Sequence, residues 1–104
     1  MTEKLDLTFY AAGVKFRPNW KANLNQLKEG DELHLVPEDN KYAKNPTHTA
    51  IRLENKGIHL GYVPEATGEL DIILNSGEIL TAEISALDTD FEPWKALEVN
   101  VKEV

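Results

Sequence analysis

The sequence predicts a mainly β fold with one α-helix: a small six-stranded antiparallel barrel whose helix is inserted after the fourth strand. Three observations predict it. Apolar and polar residues alternate with period two in six short runs, the mark of strands that bury one face. The runs are joined mostly by hairpin-sized connections, of which Asn55-Lys56-Gly57 is the plainest because glycine tolerates the positive φ that a tight turn demands. Only one stretch, Leu70, Ile73 and Leu74, carries an i, i+3, i+4 stripe that would lay a helix on a sheet.

The first run alternates Leu5, Leu7 and Phe9 with Asp6, Thr8 and Tyr10, and passes through Ala11-Ala12-Gly13 into an extended Val14-Lys15-Phe16-Arg17. Gly13 inside a strand marks a bulge or the close approach of another backbone. Pro18 stops the ladder, because it has no amide hydrogen to donate. Asn19 to Lys28 reads as a loop with room for a helical turn, pinned to the core by Leu24 and Leu27. Leu33 and Leu35 alternate with Glu32, His34 and Val36 in the second strand. A long polar loop holding Asn40 and Tyr42 leads to Ala50-Ile51-Arg52-Leu53-Glu54, the third. Long loops within small domains are more often functional than idle. Ile58, Leu60 and Tyr62 make the fourth. Pro64 then opens the helix, with Glu65 and Glu69 near its N-terminus, where the dipole favours them, and Gly77 as its stop. Ile79 to Leu87 and Trp94 to Val104 complete the count, with Leu97, Val99 and Val101 inward against Glu98, Asn100 and Lys102.

At 104 residues the chain is expected to form one domain, 1–104, with a core large enough to need no staples. It contains no cysteine, which removes disulfides and zinc-thiolate sites and fits a reducing, cytoplasmic setting. No apolar run nears the roughly 20 residues of a membrane span, and Met1-Thr2-Glu3-Lys4 lacks the build of a signal peptide. The net charge of −7 argues against nucleic acid on average, but the charges are unevenly spread. From Gly13 to Lys28 stand four bases (Lys15, Arg17, Lys21, Lys28) and no acid, whereas Gly57 to Trp94 holds eight acids and neither lysine nor arginine. Such a division offers phosphate one face and keeps the other solvated.

No Ser-His-Asp arrangement, phosphate-cradling glycine loop or HExxH is present, and Asp31 and Glu32 are adjacent on a strand and so point to opposite faces. His34, His48 and His59 are spread over two strands and a loop; His34 and His59 could lie on facing strands, but with no third ligand and no cysteine beside them a zinc site is not expected. A binding protein without cofactor or metal is therefore expected rather than an enzyme. Lys15, Arg17, Lys21 and Lys41 are phosphate candidates by charge, and Arg52 alternates on a strand that could face the same groove. Among the aromatics, strand patterns place Phe16 and Tyr62 in the core, while Tyr42 in its polar loop is the better stacking face. Trp20 and Trp94, each beside a lysine, are expected as lids over the core.

Taken together, Gly13-Val14-Lys15-Phe16, Leu27 with Gly30-Asp31-Glu32-Leu33, the loop Glu38-Asp39-Asn40-Lys41-Tyr42, Ala50-Ile51 and Leu60-Gly61-Tyr62-Val63-Pro64 resemble the HIRAN domain, from about Phe9 to Val101. That family occurs fused to DNA-repair helicase-like remodellers and as stand-alone bacterial and phage proteins. The resemblance implies an OB-like barrel that binds single-stranded DNA at a free 3′ end, with a repair or helicase-type protein as a further partner. It implies a pocket in which Lys15 and Phe16 supply the early basic and aromatic residues and Asn40 and Tyr42 the loop residues. The family's aspartate falls on Ala43, which cannot accept a hydrogen bond from a terminal sugar hydroxyl, and Lys44 to His48 are inserted after it. Asp39, Asn45 or His48 would have to substitute. The residues are therefore expected to hold single-stranded nucleic acid through Lys15, Phe16, Arg17, Lys21, Asn40, Lys41, Tyr42 and Arg52. The alternative is a protein-interaction or regulatory module on the same barrel, without the end pocket.

Overall fold

Alternating sequences become strands here because each pairs its apolar face with the next across one continuous sheet. The computed structural model describes residues 4–39, 49–90 and 92–104. In chain order these form β1 (Asp6–Tyr10), a 3-10 turn (Val14–Phe16), α1 (Trp20–Asn25), β2 (Glu32–Asp39), β3 (Thr49–Asn55), β4 (Ile58–Tyr62), α2 (Glu69–Asn75), β5 (Leu80–Leu87), a second 3-10 turn (Pro93–Lys95) and β6 (Leu97–Glu103). The six strands are antiparallel, in the order β1-β6-β5-β2-β3-β4, and curl into a half-barrel.

The registers explain the core. Leu7 pairs with Val101, Val101 with Ala82 and Ala82 with Leu33, so one apolar rung crosses four strands. Phe9, Val99 and Ile84 make the next rung, and all three are buried. Leu24 of α1, Leu70 and Ile73 of α2 and Val14 of the first 3-10 turn close over the same core. Burial of each such side chain contributes about 1.5–3 kcal/mol relative to exposure. Asn100, facing away from Val99 and Val101, is buried as well: its Nδ2 donates to Asp6 Oδ1 at 2.7 Å, Leu7 O at 3.0 Å and Thr8 Oγ1 at 3.2 Å.

The two edge strands meet at one point. Ala12, just past β1, forms an isolated bridge with Tyr62 at the end of β4, its N–H donating to Tyr62 O and its C=O accepting from Tyr62 N, both at 2.8 Å. The bridge brings the backbones so close that Gly61 has no room for a Cβ, which would lie 2.9 Å from Ala12 O. The β3–β4 hairpin turns on Lys56 and Gly57, with φ of 49° and 84°; two successive positive φ values match the twist of the flanking strands.

Several elements depart from the periodicity. Val14 to Arg17 do not continue β1, because Gly13 at φ 70° turns the chain and Val14–Phe16 coil into a 3-10 turn. The room for a helical turn after Asn19 is filled by the six-residue α1. The second helix starts at Glu69 rather than Pro64: Gly68 at φ 90° is left-handed, and Glu65 belongs to the turn before it, accepting from Gly68 N. Leu70 and Ile73 pack inward, but Leu74 is exposed, as a seven-residue helix presents only two positions to the sheet. Ile79 is exposed, with β5 starting at Leu80, and β6 starts at Leu97 because Pro93–Lys95 coil first.

Candidate nucleic-acid interface

Beyond the Ala12–Tyr62 bridge the chain must reverse, and Gly13 makes that reversal possible. The 3-10 turn that follows drives Val14 into the core and sets Lys15 and Phe16 outward. Phe16 is 70% exposed, not a core residue, since a 3-10 turn has lost the period-two alternation that would have hidden it. Lys15 Nζ lies 5.0 Å from the centroid of the Phe16 ring, a cation–π arrangement that joins a positive charge to an open aromatic face. Beside them is a shallow groove of about 340 Å³, walled by Ala12, Gly13, Phe16, Tyr62, Val63 and Leu70, with Ala50 and Glu65 completing the lining. The second 3-10 turn packs next to the first and leaves Trp94 57% exposed, while Trp20 packs against the core.

A second feature arises from β4. Leu53 pairs with Gly61 but Glu54 with His59, so Leu60 is an extra residue in the ladder. This bulge shifts the alternation by one. His59 and Tyr62, which strict alternation would send to opposite faces, come to the same side with their rings edge to face at 4.7 Å and 88°. Ile58 is correspondingly exposed.

The bulge organises a polar cluster. Arg17 Nη1 lies 2.7 Å from His59 Nδ1, and His59 Nε2 lies 3.1 Å from Gly61 O. Tyr62 OH donates to Glu38 Oε1 at 2.6 Å. Arg52 Nη1 donates to Glu38 Oε2 at 3.3 Å, and Arg52 Nη2 to Glu54 Oε2 at 2.5 Å. The Nε of each arginine is buried without a hydrogen-bond partner among the described residues.

These contacts set the ionisation of the cluster. Desolvation is the largest influence on Glu38 and raises its pKa, but the hydrogen bonds from Tyr62 and Arg52 outweigh it and hold the carboxyl below its ordinary value. His59 is lowered, first by burial and then by the charges of Arg17 and Arg52. Tyr62 is raised by burial and by donating to Glu38.

Of the residues predicted from sequence, Lys15 and Phe16 stand together at the groove. Arg17 follows them but turns toward His59, and Arg52 is held by Glu38 and Glu54 on the outer face of β2–β4. Lys21 lies on α1 with Nζ 5.4 Å from the Trp20 ring centroid. Asn40, Lys41 and Tyr42 lie outside the described residues, as do Ala43, Asn45 and His48; the side chain of Asp39 is likewise not described. Sequence reasoning missed Glu38, His59 and Tyr62 as one cluster. The available signal was Gly61, since glycine within a strand announces a bulge or a close approach and so warns that alternation fails there.

No protein-family model matches the sequence, and the search of curated proteins returns no match. Solved structures do match. A protein from Lactobacillus plantarum superposes with a TM-score of 0.63 at 17% identity, over 97% of this chain and 95% of that one. The HIRAN domain of human HLTF superposes with a TM-score of 0.61 at 15% identity, over 94% of this chain and 74% of that one. At such identities the likeness is one of architecture, and in architecture this chain is HIRAN-like.

Proposed function

We propose that the protein is a binding module, not an enzyme, and that it holds single-stranded nucleic acid, DNA near a free 3′ end. The observation that carries this reading is the open face of Phe16 with Lys15 over it, at the rim of an apolar groove in a HIRAN-like half-barrel. Covering a bare aromatic face is favourable, and beside an ammonium the ligand that suits it is flat and anionic; a nucleotide is both. A base stacks on Phe16 while Lys15 and Lys21 neutralise phosphates. Asn40, Lys41 and Tyr42, which follow β2 in the chain, are the further strand-binding residues of this proposal. Arg52, engaged by Glu38 and Glu54, serves to set Glu38 and Tyr62 rather than to reach a phosphate.

Fluorescence anisotropy with labelled single strands tests this, comparing a free 3′ hydroxyl with a 3′ phosphate. Phe16→Ala should remove a stacking contribution of about 1–3 kcal/mol. Lys15→Ala should flatten the plot of log affinity against log salt by about 0.7, one phosphate on a single strand. Equal binding to both ends would leave a strand binder without end recognition. No binding at low salt would overturn the reading in favour of a protein-interaction module, which the net charge of −7 and the internally engaged Arg52 would suit.

A further inference from the structure

The Arg17–His59 contact has a chemistry that only one protonation state allows. Arginine is permanently protonated and has no acceptor, so the 2.7 Å contact requires His59 Nδ1 to accept. The ring hydrogen therefore sits on Nε2 and donates to Gly61 O at 3.1 Å. His59 is held neutral, in a defined tautomer, by partners on both sides. Arg17 faces it from the end of the first 3-10 turn, Arg52 from β3, Glu38 from β2 and Tyr62 from β4 itself, while Glu54 binds the far side of Arg52.

Adding a proton to Nδ1 puts two donors and two positive charges at hydrogen-bond distance. That contact cannot persist. Arg17 also has a donor in reserve, because its Nε is buried without a partner among the described residues. Tyr62, which lines the groove, packs edge to face on His59, so a guanidinium released from His59 starts one ring away from the groove wall.

We infer that Arg17 and His59 form a proton-gated phosphate site: neutral His59 holds Arg17 against β4, and protonated His59 releases it, so that guanidinium and imidazolium together take one phosphate group. Binding of phosphate and uptake of a proton are then linked, each favouring the other. For a nucleic-acid strand as the phosphate source the inference rests on the function proposed above; the site itself does not need that reading.

Two experiments separate the claims. In the first, nitrogen chemical shifts of His59 are followed from about pH 8 to about pH 5, without and with inorganic phosphate. The free protein should show the Nε2–H tautomer at the upper end, and phosphate should perturb the signals of His59 and of Arg17 Nε–H only at the lower end. Arg17→Ala should raise the His59 midpoint and abolish the phosphate effect. A His59 in the Nδ1–H tautomer, or one indifferent to phosphate at every pH, overturns the inference whatever the protein does with nucleic acid. In the second, the affinity for a labelled single strand is measured over the same range. Wild type should gain about fivefold on acidification at ~0.1 M salt, the effect of one added phosphate contact. His59→Gln, which keeps an acceptor for Arg17 but does not titrate, should not gain it. Equal pH dependence in the two proteins overturns the proton gate for strand binding, whereas absence of strand binding at any pH fails the proposed function and leaves the phosphate site to be judged by the first experiment.

Discussion

Gly61 is the residue on which closure of the half-barrel turns. Its backbone is not left-handed, so conformational freedom is not the reason for glycine here; space is. A Cβ would stand 2.9 Å from Ala12 O, 3.2 Å from Val14 Cγ2 and 3.3 Å from Ala11 Cβ. The nearest of these is a backbone oxygen that accepts from Tyr62 N, and it cannot yield without opening the bridge between the two edge strands. Gly61→Ala should therefore destabilise by about 1–3 kcal/mol, the usual cost of overpacking, read as a lower urea midpoint with an unchanged slope. It should also weaken whatever binds at Phe16, since the bridge positions the turn that carries it. An unchanged midpoint would show that the strands separate at Ala12 without loss. Gly13, by contrast, was legible as a special position from sequence, although its role is a left-handed turn into a 3-10 segment rather than a strand bulge. Phe16 escapes the core that alternation predicts for the same reason: the period changes at Gly13.

At the scale of elements, legibility followed regularity. The alternating runs in β2, β3 and β6 bury Leu33, Leu53, Leu97, Val99 and Val101 as the pattern marks them, while Leu35 is only partly buried and Asn100, on the opposite face, is buried too. Gly13 and Gly61 mark where alternation fails, but the 3-10 turns and the position of the bulge in β4 are not legible, because they depend on which strands come together. Leu60 becomes an extra residue only once Tyr62 must bridge to Ala12 while Ile58 still pairs with Asn55 across the hairpin. A one-residue shift of that kind moves side chains between faces, and here it gathers His59 and Tyr62. The hairpin itself carries a correctable cost. Lys56 occupies a left-handed conformation at φ 49°, which a side chain of its type adopts at a penalty, whereas asparagine is at home at the first central position of such a turn. Lys56→Asn should stabilise the protein by recovering part of the roughly 1–2 kcal/mol that a left-handed residue costs, visible as a higher urea midpoint. The exposed site of the change makes packing loss a poor explanation should the midpoint fall instead, and that result would contradict the turn geometry.

For the molecule as a whole, the polar cluster couples stability to pH, because it is the point where the first 3-10 turn, β2, β3 and β4 are tied by charge. His59 is lowered below the ordinary histidine value by burial and by its arginine neighbours. The folded state then binds fewer protons than the unfolded state in the window between the two values, so stability rises with pH across it. The contribution is complete above the ordinary value of 6.5 and is lost as the pH falls through the lower folded value. Glu38, also lowered, adds a second loss of the same sign below its ordinary 4.5. Tyr62 acts in the opposite direction, its raised value giving stability below 10 that is lost as pH climbs through the folded value. With −7 net charge at neutrality, acidification also relieves self-repulsion, which opposes the first two losses. The two influences separate by substitution, since charge relief is common to every variant. Urea midpoints taken from about pH 8 to about pH 5 should fall more steeply for wild type than for His59→Gln, with the difference confined to the window below 6.5. In Arg17→Ala the acid loss attributable to His59 should shrink, because one of the two charges that disfavour the imidazolium is gone. Parallel profiles in all three proteins would mean that Arg17 and His59 do not share a proton-dependent contact, and the cluster would then be only a set of neighbours on the outer face of β4.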